Sequence, residues 1–186
     1  MAGLVLSEGL VEHPVQLVFD APVTQCSSKG ALVTIDAMGC QRDIAEEIVA
    51  AGGDYLLAVK DNQPTLSHEL DRAFQDTEDA EDFDELVDFA ETSERGHGRT
   101  EVRRCLVLRD LGELPSAKQW SKLTSFIRII SERTVGNKTT EEVRNYICSR
   151  RLSAVDALVL PTALFDGVAS ELGDGLGRGR FASRRR

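Results

Sequence analysis

The sequence has few of the residues that build metal centres or disulfide frameworks. Its 186 residues include four cysteines and three histidines, and no two cysteines form a Cys-x-x-Cys pair. This scarcity argues against a zinc module and fits a reducing compartment. Cys40 follows an apolar run and precedes a helical pattern, and in that position a buried cysteine is more common than a nucleophilic one.

Long hydrophobic runs are also missing. No stretch of about 18 apolar residues occurs, so the sequence offers no candidate for a membrane-spanning helix. The first residues have no basic cluster and are interrupted by Glu8 and Glu12, which is unlike a secretory signal. These absences predict a cytoplasmic protein without a membrane partner.

Positive charge is scarce and unevenly placed. The formal net charge is −9, yet the last nine residues contain five arginines and no acid. Acidic residues concentrate in 69–94, where twelve of them occur. Because Lys and Arg must replace the counterions of phosphates, an acidic chain is a poor ligand for nucleic acid. Composition alone therefore argues against DNA binding.

What the sequence does contain is a strand–helix–strand pattern over 31–60. An apolar run ends in Asp36, the segment 41–52 has apolar residues at helical spacing, and a second apolar run ends in Lys60. Continuous apolar runs joined by one helix predict two parallel strands that are buried on both faces. The expected fold class is therefore α/β.

From residue 87 the sequence changes to the alternating pattern of half-exposed strands. Two alternating segments within 125–149 flank a Gly-Asn dipeptide at 136–137, which predicts a hairpin turn. Residues 87–148 are therefore expected to be mostly antiparallel. After residue 153 the apolar residues lack sustained helical or strand spacing, so we expect weak order there. We divide the chain into a poorly defined N-terminal segment (1–28), a core (29–86), a β-rich insertion (87–153) and a weakly ordered Gly- and Arg-rich tail (154–186).

Asp36 is the first candidate for chemistry. Ligands of open α/β sheets gather beyond the carboxyl ends of parallel strands, and both Asp36 and Lys60 follow such ends. A carboxylate there can hold Mg²⁺, which prefers oxygen ligands. Two-metal phosphodiester chemistry, however, requires several acids that converge on the ions. The alternative for Asp36 is a helix cap or a turn former.

A polar loop at 58–63, "AVKDNQ", is the second candidate. Lys60 and the side-chain amide of Asn62 lie beside the expected strand end that carries Asp36. The alternative function of this loop is to cap the helix that follows it.

The stretch 94–104, "ERGHGRTEVRR", is the third candidate. Glycines flank His97 and allow a ligand to approach the backbone closely. Arg99 and Arg103 are an even number of residues apart, so they share one face of a strand and can hold phosphates together. The alternative is an exposed loop that leads into a charged strand.

Taken together, the stretches 30–66, 94–104 and 131–149 resemble the H-repeat-associated insertion-sequence transposases of bacteria. These enzymes belong to the wider DDE transposases, which have a ribonuclease-H-like core. The resemblance covers roughly 29–153, and its three motifs occur in the family's order. It implies an activity in which three acids bind two Mg²⁺ ions, cut donor DNA ends and join them to target DNA.

The resemblance implies roles for the matching residues. Asp36 matches the family's second catalytic acid and would be a ligand of Mg²⁺. Residues 29–86 would form a partial ribonuclease-H-like core, and 87–153 would be the family's β insertion. The implied partners are the ends of an insertion element and target DNA, with a second copy of the chain in a homo-oligomer or an intact transposase. The implied DNA-binding residues are Lys60, Asn62, His97, Arg99 and Arg103.

The sequence departs from the family on both sides of the resemblance. Asp20 is only sixteen residues before Asp36, too few to hold the hairpin and strands that follow the family's first acid. The family's His-Trp pair and Ile-Glu-Asn sequence do not follow Tyr146, and Glu171 replaces the third acid only by its position. Because a lone acid cannot clamp two ions, we expect a truncated transposase that is inactive by itself.

Two alternatives remain open. The chain is then either a DNA-binding or transposase-partner module without catalysis, or an unrelated small α/β protein with one Mg²⁺ at Asp36. The last alternative requires another acid at a neighbouring strand end.

Overall fold

A computed structural model describes residues 6–7, 15–17, 29–35, 37–78, 83–96, 98–109 and 114–165. Along the chain the elements are β1 (Leu6–Ser7), β2 (Val15–Leu17), β3 (Leu32–Ile35), α1 (Arg42–Ala50), β4 (Asp54–Val59), α2 (Pro64–Glu78), α3 (Phe83–Leu86), β5 (Val87–Gly96), β6 (Arg99–Leu108), β7 (Ser125–Val135), β8 (Lys138–Cys148) and α4 (Ala154–Phe165). The described strands form one sheet in the order β1-β2-β3-β4-β8-β7-β6-β5. The sheet is mixed, so the expected α/β class is confirmed. None of the described helices is long and apolar enough to cross a membrane.

β3, α1 and β4 form the expected parallel unit. β3 pairs with β4 in parallel from Leu32 opposite Asp54 to Ile35 opposite Leu57. α1 connects the two strands and buries Ala45 and Ile48. On the other side of β3 lies the short strand β2, which also runs parallel to β3 and in turn pairs with β1. β3 is therefore hydrogen-bonded to a neighbouring strand on each side.

β5 to β8 form an antiparallel meander, as their alternating sequence predicts. β7 ends at Val135 and β8 begins at Lys138, so Gly136 and Asn137 form the hairpin turn that the sequence indicates. Gly136 has a φ of +58°, a conformation that glycine adopts without steric cost. β8 also pairs with β4, so the parallel unit and the antiparallel strands share one continuous sheet.

The sheet is covered on both sides. One side, here called the α2 face, packs against α1 and α2; its buried residues include Val33, Ile48, Tyr55, Leu57, Leu70, Phe74, Phe126 and Ile147. The other side, the α4 face, packs against α4; its buried residues include Leu56, Ala58, Cys105, Ile127, Tyr146, Ala157 and Leu158. Side chains alternate between these two faces along each strand.

α4 occupies the start of the segment that was expected to be weakly ordered. Ser153 caps the helix: its hydroxyl donates to the carboxylate of Asp156 (2.6 Å) and accepts from the Asp156 amide (3.1 Å). The sequence does not predict this helix because apolar residues occur all round it, and Val155 and Val159 remain exposed. Residues 166–186, the rest of the predicted tail, lie outside the described part of the chain.

Candidate functional site

The candidate site lies at the carboxyl ends of β3 and β4. Asp36 follows Ile35 directly in the sequence but is outside the described residues, so its side chain is not placed. β4 continues beyond its pairing with β3 and ends with Val59 opposite Asn145 of β8. Lys60 comes next and is exposed. Lys60 therefore lies at the same end of the parallel strands as the Asp36 position.

The loop after β4 holds the turn after β3. The Asn62 side-chain amide donates to the main-chain carbonyl of Ala37 and, at 3.4 Å, to that of Cys40. The Gln63 side-chain amide donates to the same Cys40 carbonyl at 2.9 Å. These bonds fix the short 3₁₀ turn Ala37–Gly39, which follows the Asp36 position. Asn62, expected to bind DNA, thus already has partners within the protein.

Cys40 has the structural role that its sequence position favours. Its side chain is fully buried, and burial raises the pKa of its thiol to about 12. A thiol with so high a pKa is not a nucleophile at neutral pH. Cys105 and Cys148 are likewise buried and free.

A cleft of about 370 Å³ opens beside this strand end. Its walls include Lys60, Asp61, Asp71, Arg144 and Asn145. Sequence reasoning did not identify Asp71 or Asn145, because no local motif joins residues that lie so far apart in the chain.

A charged network supports one wall of the cleft. Arg128 donates from Nη2 to Asp71 Oδ1 (2.5 Å) and from Nε to Asn145 Oδ1 (3.0 Å), and Asn145 donates to the same Asp71 oxygen (2.9 Å). The Arg128 guanidinium also stacks 4.5 Å above the Phe74 ring. Because Asp71 accepts hydrogen bonds from Arg128 and Asn145, it attaches α2 to the sheet.

The described carboxylates do not fit a two-ion metal site. No three His, Cys, Asp or Glu side chains among the described residues are close enough to share a metal ion. The only acid within 154–165, Asp156, is the capping partner of Ser153. A ligand set of three or more such side chains would therefore have to include at least one residue outside the described part of the chain, and Asp36 is the candidate.

Beyond β4 the antiparallel strands continue as an arm (residues 90–96, 98–105 and 129–144). β8 contributes seven residues to the arm before it reaches its pairing with β4, which corresponds to about 24 Å. Because β8 runs antiparallel to β4, the arm projects from the same edge as the carboxyl ends of β3 and β4. The predicted Arg-bearing strand, β6, therefore extends past the Asp36 edge.

Arg99 and Arg103 lie on one face of the arm, as predicted. Both are in register with α4-face residues, and Arg103 lines a groove of about 320 Å³ there. Arg104 points to the α2 face, where it binds Glu91 (2.8 Å) and Glu132. The hydrogen bonds to Glu132 and then to Glu91 raise the pKa of Arg104. His97 lies outside the described residues.

A second charged cluster stands at the opposite edge of the sheet, around Asp54 at the start of β4. Its carboxylate accepts from Lys122 (2.7 Å), Ser149 (2.9 Å) and Arg150 (3.0 Å). Arg150 also donates to the Gly30 carbonyl (2.7 Å). Burial alone would raise the pKa of Asp54, but the hydrogen bonds from Lys122, Arg150 and Ser149 outweigh burial and lower it. This cluster ties the ends of β3, β4 and β8 together.

Comparisons with known proteins add the family. No family model and no solved structure matches the chain. Over 132 residues, 68% of the chain, it is 37% identical to a protein of Escherichia coli K12 named "H repeat-associated putative transposase YhhI". Over 80 residues, 42% of the chain, it is 44% identical to "H repeat-associated putative transposase YbfD" of the same strain. Over 121 residues, 65% of the chain, it is 36% identical to an uncharacterised protein encoded beside dhlA in Xanthobacter autotrophicus.

The shared stretch is a minor part of these relatives. It spans 34% of YhhI, 30% of YbfD and 40% of the Xanthobacter protein, so the chain covers well under half of the proteins it matches. The similarity agrees with the resemblance carried by the motifs at 30–66, 94–104 and 131–149. The chain therefore belongs to the family of H repeat-associated transposases.

Proposed function

We propose that this chain is a transposase-related protein that binds DNA but does not cut or join DNA by itself. In this proposal Asp36 corresponds to one of the family's three catalytic acids. One structural relationship carries the proposal. The strand end that precedes Asp36 and the arm that bears Arg99 and Arg103 leave the sheet at the same edge. A duplex that rests on the arm would therefore pass close to the Asp36 edge.

The proposal also assigns the two parts of the sheet to a ribonuclease-H-like core and an inserted β region. The parallel β3–α1–β4 unit, with a candidate acid directly after β3, supports a partial ribonuclease-H-like core. The antiparallel strands from Val87 to Cys148 support an inserted β region that is continuous with that core. In this proposal the arm holds DNA next to the strand end that carries Asp36.

Mg²⁺ is the cofactor that the family implies, and it would stabilise the charge of phosphate oxygens when bound. The described residues by themselves do not form the cluster of acids that a two-ion site needs. Weak binding of one ion at Asp36 is the most that we propose, and no catalytic step is assigned to this chain.

The proposal is tested by DNA binding and by activity. Fluorescence anisotropy with a labelled duplex of about 30 base pairs should give an affinity whose logarithm falls linearly with that of the salt concentration. Because each lost phosphate contact removes about 0.9 from this slope, Arg99→Ala with Arg103→Ala should reduce it by about two. The matched control is Arg72→Ala with Arg95→Ala, which removes the same charge from exposed positions away from the α4 face.

The activity assay uses duplexes from both flanks of the chain's own gene with Mg²⁺. We expect no end cleavage and no strand transfer. Efficient strand transfer by the purified chain would overturn the proposed inactivity. Failure to bind duplex DNA even at about 50 mM salt, where phosphate contacts are strong, would overturn the proposed DNA binding.

A further inference from the structure

The arm has two faces of different charge. On the α4 face its described side chains include five bases and three acids: Arg99, Arg103, Arg133, Lys138 and Arg144 against Glu94, Glu101 and Glu142. On the α2 face they include two bases and three acids: Arg95 and Arg104 against Glu91, Glu132 and Glu141. In a chain of net charge −9, the α4 face of the arm is a local surface of positive charge.

The five bases are arranged in successive rows across the strands. Cross-strand register places Arg144 beside Ile129, then Arg103 beside Ser131, then Arg133 beside Glu101, and finally Arg99 and Lys138 on either side of Val135. Rows on one face are two residues, or about 7 Å, apart, so the four rows extend over about 20 Å. Each strand of a duplex carries one phosphate per 3.4 Å of axis, so this length faces about six phosphates.

The ion pairs on this face are exchangeable. Glu101 is shared by Arg99 (3.1 Å) and Arg133 (3.7 Å), whose side chains are 47% and 56% exposed. Glu142 pairs with Arg144 at 2.8 Å. The exposed pairs of Glu101 contribute little stability, so a phosphate can replace that carboxylate at low cost. On the α2 face, by contrast, Arg104 is held between two acids at once.

We infer that the α4 face of the arm is a docking surface for the phosphate backbone of duplex DNA, in which Arg133, Lys138 and Arg144 extend the contact begun by Arg99 and Arg103. The inference rests on the proposed DNA binding and adds to it the face and three residues to which the sequence motifs assigned no role. The groove between the strands and Leu158 of α4, about 320 Å³ in volume, lies at the inner end of this surface and is lined by glutamates as well as arginines. Charge complementarity selects the partner, because the surface is basic while most of the chain is acidic.

The decisive variant is Arg133→Ala with Arg144→Ala, compared with the control Arg72→Ala with Arg95→Ala. We expect the salt slope for a duplex of about 30 base pairs to fall by about two for the first pair and to stay unchanged for the control. Arg133→Lys with Arg144→Lys should keep the slope, because lysine retains the positive charge. Circular dichroism verifies that each variant is folded.

A gain of affinity gives an independent readout. Glu101→Gln removes the acid that holds Arg99 and Arg133, so it should tighten DNA binding several-fold, whereas a purely structural role of Glu101 predicts no gain. If Arg99→Ala with Arg103→Ala lowers the slope but Arg133→Ala with Arg144→Ala does not, the docking surface is wrong and the proposed DNA binding stands. If the wild-type chain binds no duplex, both fail. Equal affinity and slope with single-stranded RNA of the same length would overturn the assignment to duplex DNA.

Discussion

The side-chain amide of Asn62 donates a hydrogen bond to the main-chain carbonyl of Ala37, and through this bond the loop after β4 holds the turn after β3. The bond joins residues that are 25 positions apart and lies immediately beyond the Asp36 position. Its geometry gives Asn62 a positioning role at the candidate site, whether or not the residue also touches DNA.

The role of Asn62 predicts a local loss of stability in Asn62→Ala. Removing the amide leaves the Ala37 carbonyl without this donor, which should cost about 1–2 kcal/mol of unfolding free energy. The Cys40 amide, which donates to the Ala37 carbonyl, should exchange its hydrogen faster in the variant. Urea unfolding and hydrogen exchange measure the two effects. Gln75→Ala, at an exposed position of α2, is the control and should change stability by less than about 0.5 kcal/mol. Unchanged stability together with weaker DNA binding would show that Asn62 serves the ligand instead.

The turn at Gly39 predicts a second sensitivity. A Cβ at Gly39 would overlap the Cγ2 atom of Ile35, so Gly39→Ala forces the turn or the end of β3 to shift. We expect a loss of about 1–3 kcal/mol, as in overpacked cores. Gly96→Ala is the matched control, because a Cβ there meets nothing within 4 Å. Removing backbone freedom from the unfolded chain should leave this control neutral or stabilise it by up to about 1 kcal/mol. If the two variants are equally stable, a Cβ at Gly39 does not overlap Ile35 and this prediction is wrong.

The Asp54 cluster predicts a pH-dependent contribution to stability. The pKa of Asp54 is lowered in the folded state, so its contribution is fully present above the unfolded pKa of about 3.9 and is lost as pH falls through the lower folded value. At about pH 7 we expect Asp54→Asn to cost about 2–3 kcal/mol, because Lys122 and Arg150 lose a charged acceptor.

The control for Asp54 is Asp76→Asn. Asp76 pairs only at 3.7 Å with Arg72, and both side chains are more than two-thirds exposed (71% and 76%). Such a pair contributes at most about 1 kcal/mol. Urea unfolding of the wild type and both variants should show the Asp54→Asn difference shrinking below about pH 4. A difference that stays constant down to acid pH would contradict the role of the Asp54 charge.

Local patterns were sufficient to predict part of this fold. Two apolar runs joined by a helix predicted the parallel pair β3 and β4, and the Gly-Asn dipeptide predicted the turn between β7 and β8. The even spacing of Arg99 and Arg103 predicted that they share a face. In each case the information lies within a few residues, where backbone periodicity alone fixes the result.

The rest depends on contacts that the sequence pattern does not contain. Asp71 meets Arg128 and Asn145 across 57 and 74 positions, and no local spacing indicates this network. α4 is apolar on all sides, so it lacks the amphipathic period that would have predicted a helix. The polar loop at 58–63 was visible in the sequence, but the carbonyls that it binds could be identified only from the fold. Asp36 and His97 lie outside the described residues, so their roles stay predictions.

Burial of the thiols makes a final prediction about chemical reactivity. Cys40 and Cys148 are fully buried, and burial raises both pKa values to about 12. At about pH 8 only one thiol in roughly ten thousand would then be ionised, compared with about a quarter for an exposed cysteine. A maleimide or disulfide reagent should therefore modify these residues only as fast as the protein opens, and denaturant should expose them at once. Peptide mapping by mass spectrometry reports each site separately, so the same cysteines in the denatured protein serve as the comparison. Modification of native Cys40 at the rate of a free thiol would mean that the turn after β3 is open to solvent, and the positioning role of Asn62 would fail with it.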